Sequence, residues 1–104
     1  MSEGRSREQE EDELATAFPG CIMTHKLRLR SRDQLSVAMC ALAQIEAIGA
    51  RLDGLRLSRT ADGILNHCLN LTGLSARQAR ALADRLAKID GIEDVRVEHH
   101  VVRV

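Results

Sequence analysis

The chain has 104 residues, 44% of them hydrophobic, with 15 basic and 15 acidic side chains in balance, enough for one compact domain but not for two separate cores. Phe18 is its only aromatic residue and Trp and Tyr are missing, which removes the ring-stacking platform on which most sequence-tolerant nucleic-acid binding rests. No run approaches the roughly 18 apolar residues of a membrane span, and no secretory leader is evident, so a cytoplasmic protein is expected.

Residues 1–17 hold six acids, Glu3, Glu8, Glu10, Glu11, Asp12 and Glu13, against Arg5 and Arg7, which leaves a net +4 on the remainder. Residues 2–13 contain no large apolar side chain whose burial would offset the entropy of ordering. They are expected to form a disordered acidic lead (1–17) to a folded domain (18–104).

In Thr24 to Arg30, Leu27 and Leu29 alternate with Lys26, Arg28 and Arg30, the period of a strand with one buried face. Period two stops at Ser31. From Leu35 the apolar positions Leu35, Met39, Leu42 and Ile45 follow a helical period to about Ile48, where Gly49 offers a stop. Ser31 with Gln34 has the S-x-x-Q form of a capping box, so the joint reads as a strand handing over to a helix.

The pattern then repeats. Residues 55–60 form a second strand and 64–71 a third, joined through the hairpin signal Asp62-Gly63. Ser75 with Gln78 repeats the box, Ala79, Leu82, Leu86 and Ile89 stripe a second helix that stops at Asp90-Gly91, and 95–98 open a fourth strand. The sum is α+β: a ferredoxin-like βαββαβ chain with a four-stranded antiparallel sheet in the order 4-1-3-2 and two helices on one face. Strand parity places Leu27, Leu29, Leu55, Leu57, Leu65, Leu69, Leu71, Val95 and Val97 toward the helices. The open face then holds Lys26, Arg28, Arg30, Arg56, Ser58, Asn66, Cys68, Asn70, Arg96 and Glu98. Parity becomes ambiguous after Glu98.

Residues Thr24 to Arg103 resemble an ACT domain, the small ligand-sensing module attached to many amino-acid metabolic enzymes. The features that carry the likeness are R-S-R-D-Q-L at the first strand–helix joint, A-I-G-A-R-L before the second strand and I-D-G-I-E-D-V-R-V before the fourth. Among such modules the chain is most similar to the free-standing small regulatory subunits of acetolactate synthase. The resemblance implies an effector at Ser31, Arg32, Asp33 and Gln34. The family commonly places an acid followed by Pro-Gly there, whereas this chain has Arg32, Asp33 and Gln34, and a side chain at Gln34 fills space that Gly leaves free. The resemblance also implies side-by-side pairing of domains.

Each remaining chemical feature has a plainer reading beside the functional one. Ser31 and Gln34 either hold an anion at a helix N-terminus or simply cap it. Cys21, His25 and His99 converge in the 4-1-3-2 order as a weak alternative metal set, but their types follow no recognised ligand spacing; no metal or other cofactor is expected. His67 shares the parity of Leu65 and Leu69 and reads as a hydrogen-bonded core histidine. The three cysteines, odd in number and without a C-x-x-C pair, read as reduced thiols.

No nucleophile elbow, P-loop or dinucleotide turn is present, and S-R-D-Q does not make the phosphate cradle of an acylphosphatase-like enzyme, so no enzyme is expected. The expectation is a non-catalytic, ACT-like regulatory module that senses an amino acid or related small anion, regulates a partner metabolic enzyme, or both, and forms a homodimer through sheet edges or the adjoining helices. No membrane partner is expected. The second reading is a nucleic-acid-binding module using the basic open face, which lacks aromatics to stack on.

Overall fold

The computed structural model describes residues 6–17 and 20–103. Among them the elements are α1 (Arg7–Ala17), β1 (Cys21–Arg32), α2 (Leu35–Ala47), β2 (Arg51–Arg59), β3 (Ile64–Thr72), α3 (Ala76–Leu86) and β4 (Ile92–Arg103). From β1 onward this is the expected βαββαβ order. The strands form one antiparallel sheet, β2-β3-β1-β4, which is the 4-1-3-2 order read from its other edge.

Parity decides the core. Leu27 and Leu29 on β1 and Leu65, Leu69 and Leu71 on β3 are buried beneath α2 and α3, against Ala41, Ile45, Ala79, Leu82 and Leu86. Burial of each such leucine stabilises the fold by about 1.5–3 kcal/mol. The strand alternation also continues past Glu98: His99 turns toward the helices with 3% of its side chain exposed, and His100 turns away at 52%. The ambiguity read in H-H-V-V is absent because Cys21–His25 pairs with His99–Arg103 in regular register; Val104 lies outside the described residues.

Two apolar expectations change. The buried face of α2 is Val37, Ala38, Ala41 and Ile45, while Leu35 and Met39 stand 74% and 60% exposed. Leu55 and Leu57 have the expected parity, opposite Leu69 and His67, yet both are exposed. The cause is lateral: α3 packs on β4 and β1 and α2 packs on β1 and α3, so the helix layer stops short of the edge strand β2.

The two S-x-x-Q signals diverge. At α3 the box is complete, with Ser75 Oγ accepting from Gln78 N–H at 3.0 Å and Gln78 Oε1 accepting from Ser75 N–H at 2.8 Å. At α2 the N-cap is Gln34, without a side-chain cap, and Ser31 is still in β1, fully buried, with its Oγ 2.8 Å from His67 Nε2 and 3.1 Å from Arg32 O. The capping box at Ser31 is therefore corrected to a buried cross-strand hydrogen bond, because β1 runs on to Arg32, three residues beyond the last leucine of its alternating pattern. Ser75→Ala should cost about 1 kcal/mol, the usual value of a cap. Ser31→Ala should cost about 1–3 kcal/mol, because it strands His67 Nε2 in the core. Urea midpoints of the two variants test the assignment: a smaller loss for S31A than for S75A would contradict it.

Arg7–Ala17 is helical, where the sequence reading has a disordered lead; residues 1–5 of that lead lie outside the described residues. No residue of α1 is buried, and polar contacts hold the helix instead. Asp12 accepts from the backbone N–H of Ala76 at 2.6 Å and of Arg77 at 3.2 Å. Glu8 lies 3.7 Å from Arg80 and 3.4 Å from His99. Asp12 and the Ser75 box thus satisfy the first N–H groups of α3 from two separate parts of the chain.

Candidate functional site

The four residues singled out from the sequence stand at the end of β1 but do not form one set. Ser31 turns into the core. Arg32 is pinned at both ends, its N–H donating to Gly91 O at 2.9 Å and its guanidinium meeting Asp90 at 3.1 Å. Gly91 is required there: its φ is +98°, and a Cβ would lie 2.9 Å from Val37 Cγ2 and 3.0 Å from Arg32 Nη2. Asp33 N–H donates to Gly63 O at 3.1 Å, and its carboxylate pairs with Arg59. Gln34 is exposed beside the N-terminus of α2, which no side chain caps. The geometry therefore leaves Arg32, Asp33 and Gln34 around that helix end, with the first two stapled to the β2–β3 and α3–β4 turns.

At the opposite end of β1, pairing of Cys21–His25 with β4 brings His25 against His99. Their Nδ1 atoms are 3.0 Å apart and the rings meet edge to face at 85°. His25 Nε2 lies 2.8 Å from Leu74 O. A carbonyl only accepts, so Nε2 carries the proton, and the bare Nδ1 of neutral His25 accepts from His99 Nδ1–H. His99 Nε2 then faces the Glu8 carboxylate within ion-pair range but without a hydrogen bond. Cys21 stays four residues away on β1, opposite Arg103, and no group of three or more metal-ligating side chains is assembled among the described residues. Topology brings two of the three weak metal candidates together, and the backbone accounts for their contact.

Both core histidines favour the neutral form. Burial holds His67 below the usual imidazole range. Burial also depresses His25, with the charge of His99 acting the same way, against the hydrogen bond to Leu74 and the charges of Asp12 and Glu11. The unfolded chain therefore takes up protons first as pH falls through about 6.5. Stability from these groups is complete above that value and is lost below it. The denaturant midpoint should fall between pH 7.5 and pH 5.5, and His67→Gln should flatten that slope; a midpoint independent of pH over this window would contradict the assignment.

On the face away from the helices, cross-strand register sets Arg56, Cys68, Arg28 and Arg96 in one row and Ser58, Asn66, Arg30 and Asp94 in the next. This is the polar, basic face read from parity.

No protein-family model and no curated protein sequence matches the chain. Solved structures do. The crystal structure of the ACT domain from GTP pyrophosphokinase of Chlorobium tepidum superposes with a TM-score of 0.63 at 19% identity, over 72% of this chain and 96% of that one. The chain has the ACT fold. The solution structure of the C-terminal domain of the MgtC protein from Mycobacterium tuberculosis reaches a TM-score of 0.63 at 16% identity, over 80% of this chain and 92% of that one. A homoserine dehydrogenase from Thiobacillus denitrificans reaches 0.62 at 12% identity, over 78% of this chain but only 17% of that protein. At Arg32, Asp33 and Gln34 two ion pairs, Arg32 with Asp90 and Asp33 with Arg59, tie the loop down. No helix among the described residues is long and apolar enough to cross a membrane. Sequence reasoning missed the seat of α1 on His99 and α3. One signal was present, Ser6 and Gln9 as a third S-x-x-Q, and Ser6 Oγ does accept from Gln9 N–H at 3.1 Å.

Proposed function

We propose that this protein is a non-catalytic, cytoplasmic regulatory module of ACT type, working as a homodimer that senses an amino acid or related small anion and transmits its state to a metabolic enzyme. The free-standing small regulatory subunits of acetolactate synthase are the model for such a role. The observation that carries the reading is the uncovered apolar flank: Leu35 and Met39 on α2 and Leu52, Leu55 and Leu57 on β2 are all exposed. α3 packs on β4 and β1 while α2 packs on β1 and α3, which makes α2 the helix nearer β2. β2 also ends the sheet, with unpaired backbone groups that call for a partner. A second copy answers both needs, since two antiparallel β2 edges related by a twofold axis present the same leucines to each other. The effector belongs at the uncapped N-terminus of α2 beside Arg32, Asp33 and Gln34, where free N–H groups and the helix dipole favour a carboxylate.

Size exclusion with light scattering at micromolar concentration, together with thermal shift against the amino acids, tests this reading. The expected mass is twice the chain, falling to one chain for the Leu35→Asp, Leu57→Asp double variant, with a stabilising shift for at least one amino acid that Gln34→Ala removes. A monomer with no amino-acid response overturns the homodimeric sensor. A monomer whose flank captures a metabolic enzyme leaves regulation by direct association as the form of the function.

A further inference from the structure

The open sheet face carries a charge arrangement that neither the fold nor a dimer explains. Register places Arg28 directly opposite Arg96, and Cys68 between Arg28 and Arg56, so three guanidiniums share one row across strands about 4.8 Å apart. Arg30 stands in the next row. Like charges directly opposite on a sheet destabilise it, and the acids nearby relieve this only in part. Asp94 lies 3.3 Å from Arg96 and Glu98 lies 3.8 Å from Arg28; these pairs are well exposed and therefore weak. Arg30 and Arg56 make no ion pair among the described residues, although Asp94 stands opposite Arg30 across the β1–β4 ladder and Asp62 feels the charge of Arg30. This face holds a groove of about 400 Å³, in which Arg28, Arg30, Arg56 and Arg96 outnumber the one carboxylate, Asp94, and stand beside Asn66 and Cys68.

We propose that this groove is a binding site for a small polyanion carrying two phosphate groups. Its volume falls within the range of small-molecule sites. Guanidinium forks match phosphate oxygens bidentately, and Asn66 adds a neutral donor between them. A bound diphosphate neutralises the repulsion within the row, so the ligand-free protein keeps a destabilised face that the ligand stabilises. Single-stranded nucleic acid is the poorer fit, because no Phe, Tyr or Trp lines the groove for a base to stack on, and the one ring there, His67, is buried and bonded to Ser31. The site lies on the opposite face of the sheet from the helix layer and is independent of the proposed amino-acid site.

Calorimetric titration of the full chain with inorganic pyrophosphate, at low salt and at 150 mM, tests the proposal, with orthophosphate and a short single-stranded RNA as comparisons. Pyrophosphate should bind more tightly than orthophosphate, weaken with salt, and lose at least tenfold in affinity in the Arg30→Gln, Arg56→Gln variant. That variant should melt no lower than the parent without ligand, which separates loss of the site from loss of the fold. Pyrophosphate should also slow alkylation of Cys68 by iodoacetamide, read by peptide mass spectrometry, without slowing that of exposed Cys40. Absence of pyrophosphate binding at millimolar concentration in low salt, equal binding by the double variant, or RNA affinity that rises with length and displaces pyrophosphate would each overturn it.

Discussion

Leu69→Ala should destabilise the protein by about 2–5 kcal/mol, whereas Leu57→Ala, measured where the chain is monomeric, should cost less than about 1 kcal/mol. The two leucines have the same strand parity and lie on neighbouring strands. Leu69 is 1% exposed, enclosed by β1 and the helix layer, while Leu57 is 44% exposed on the edge strand. Truncating Leu69 removes buried methyl groups and leaves a cavity in a close-packed interior; truncating Leu57 removes atoms that water already reaches. A domain of this size has roughly 5–15 kcal/mol of total stability, so Leu69→Ala takes a substantial part of it. Urea unfolding at a series of protein concentrations separates the cases. Equal losses at high dilution would mean that the helix layer covers β2. A loss for Leu57→Ala that grows with concentration is the signature of a dimer formed through that edge.

Removal of residues 1–17 should lower stability by about 2 kcal/mol, and Asp12→Ala alone should account for about 1 kcal/mol of it. The physical cause is local. Asp12 is the only acceptor, among the described residues, for the side-chain hydrogen bonds of Ala76 N–H and Arg77 N–H, and without it two donors at a helix N-terminus turn to water. Loss of α1 also opens the seat over His99. Hydrogen exchange at Ala76 and Arg77 should accelerate in Asp12→Ala while Gln78, held by Ser75, keeps its protection. An unchanged midpoint on deletion, with unchanged exchange, would return the segment to the disordered lead that its composition suggests.

The first strand–helix joint shows how far local pattern reaches. Ser31 and Ser75 present the same S-x-x-Q string, and only Ser75 caps. What distinguishes them is not in the string: His67, 36 residues away, supplies the partner that holds Ser31 in the strand. Gln34, exposed at the uncapped helix end, is the part of the sequence-derived effector set that structure leaves most open to a ligand. Arg32 and Asp33 are tied by Asp90 and Arg59, contacts that depend on turns closing elsewhere.

Periodicity and the Asp62-Gly63 turn signal determined the element order from β1 onward, the antiparallel sheet, the hairpin and the polar face, because alternation, helical stripes and turn dipeptides are properties of neighbouring residues. Tertiary structure alone decided the rest. Which leucines are covered depends on the lateral reach of the helix layer. The histidine contact depends on β1–β4 register, and the order of α1 depends on α3 offering N–H groups to a carboxylate. In each of these the partner is distant in the chain, and its energy becomes available only once the sheet has formed.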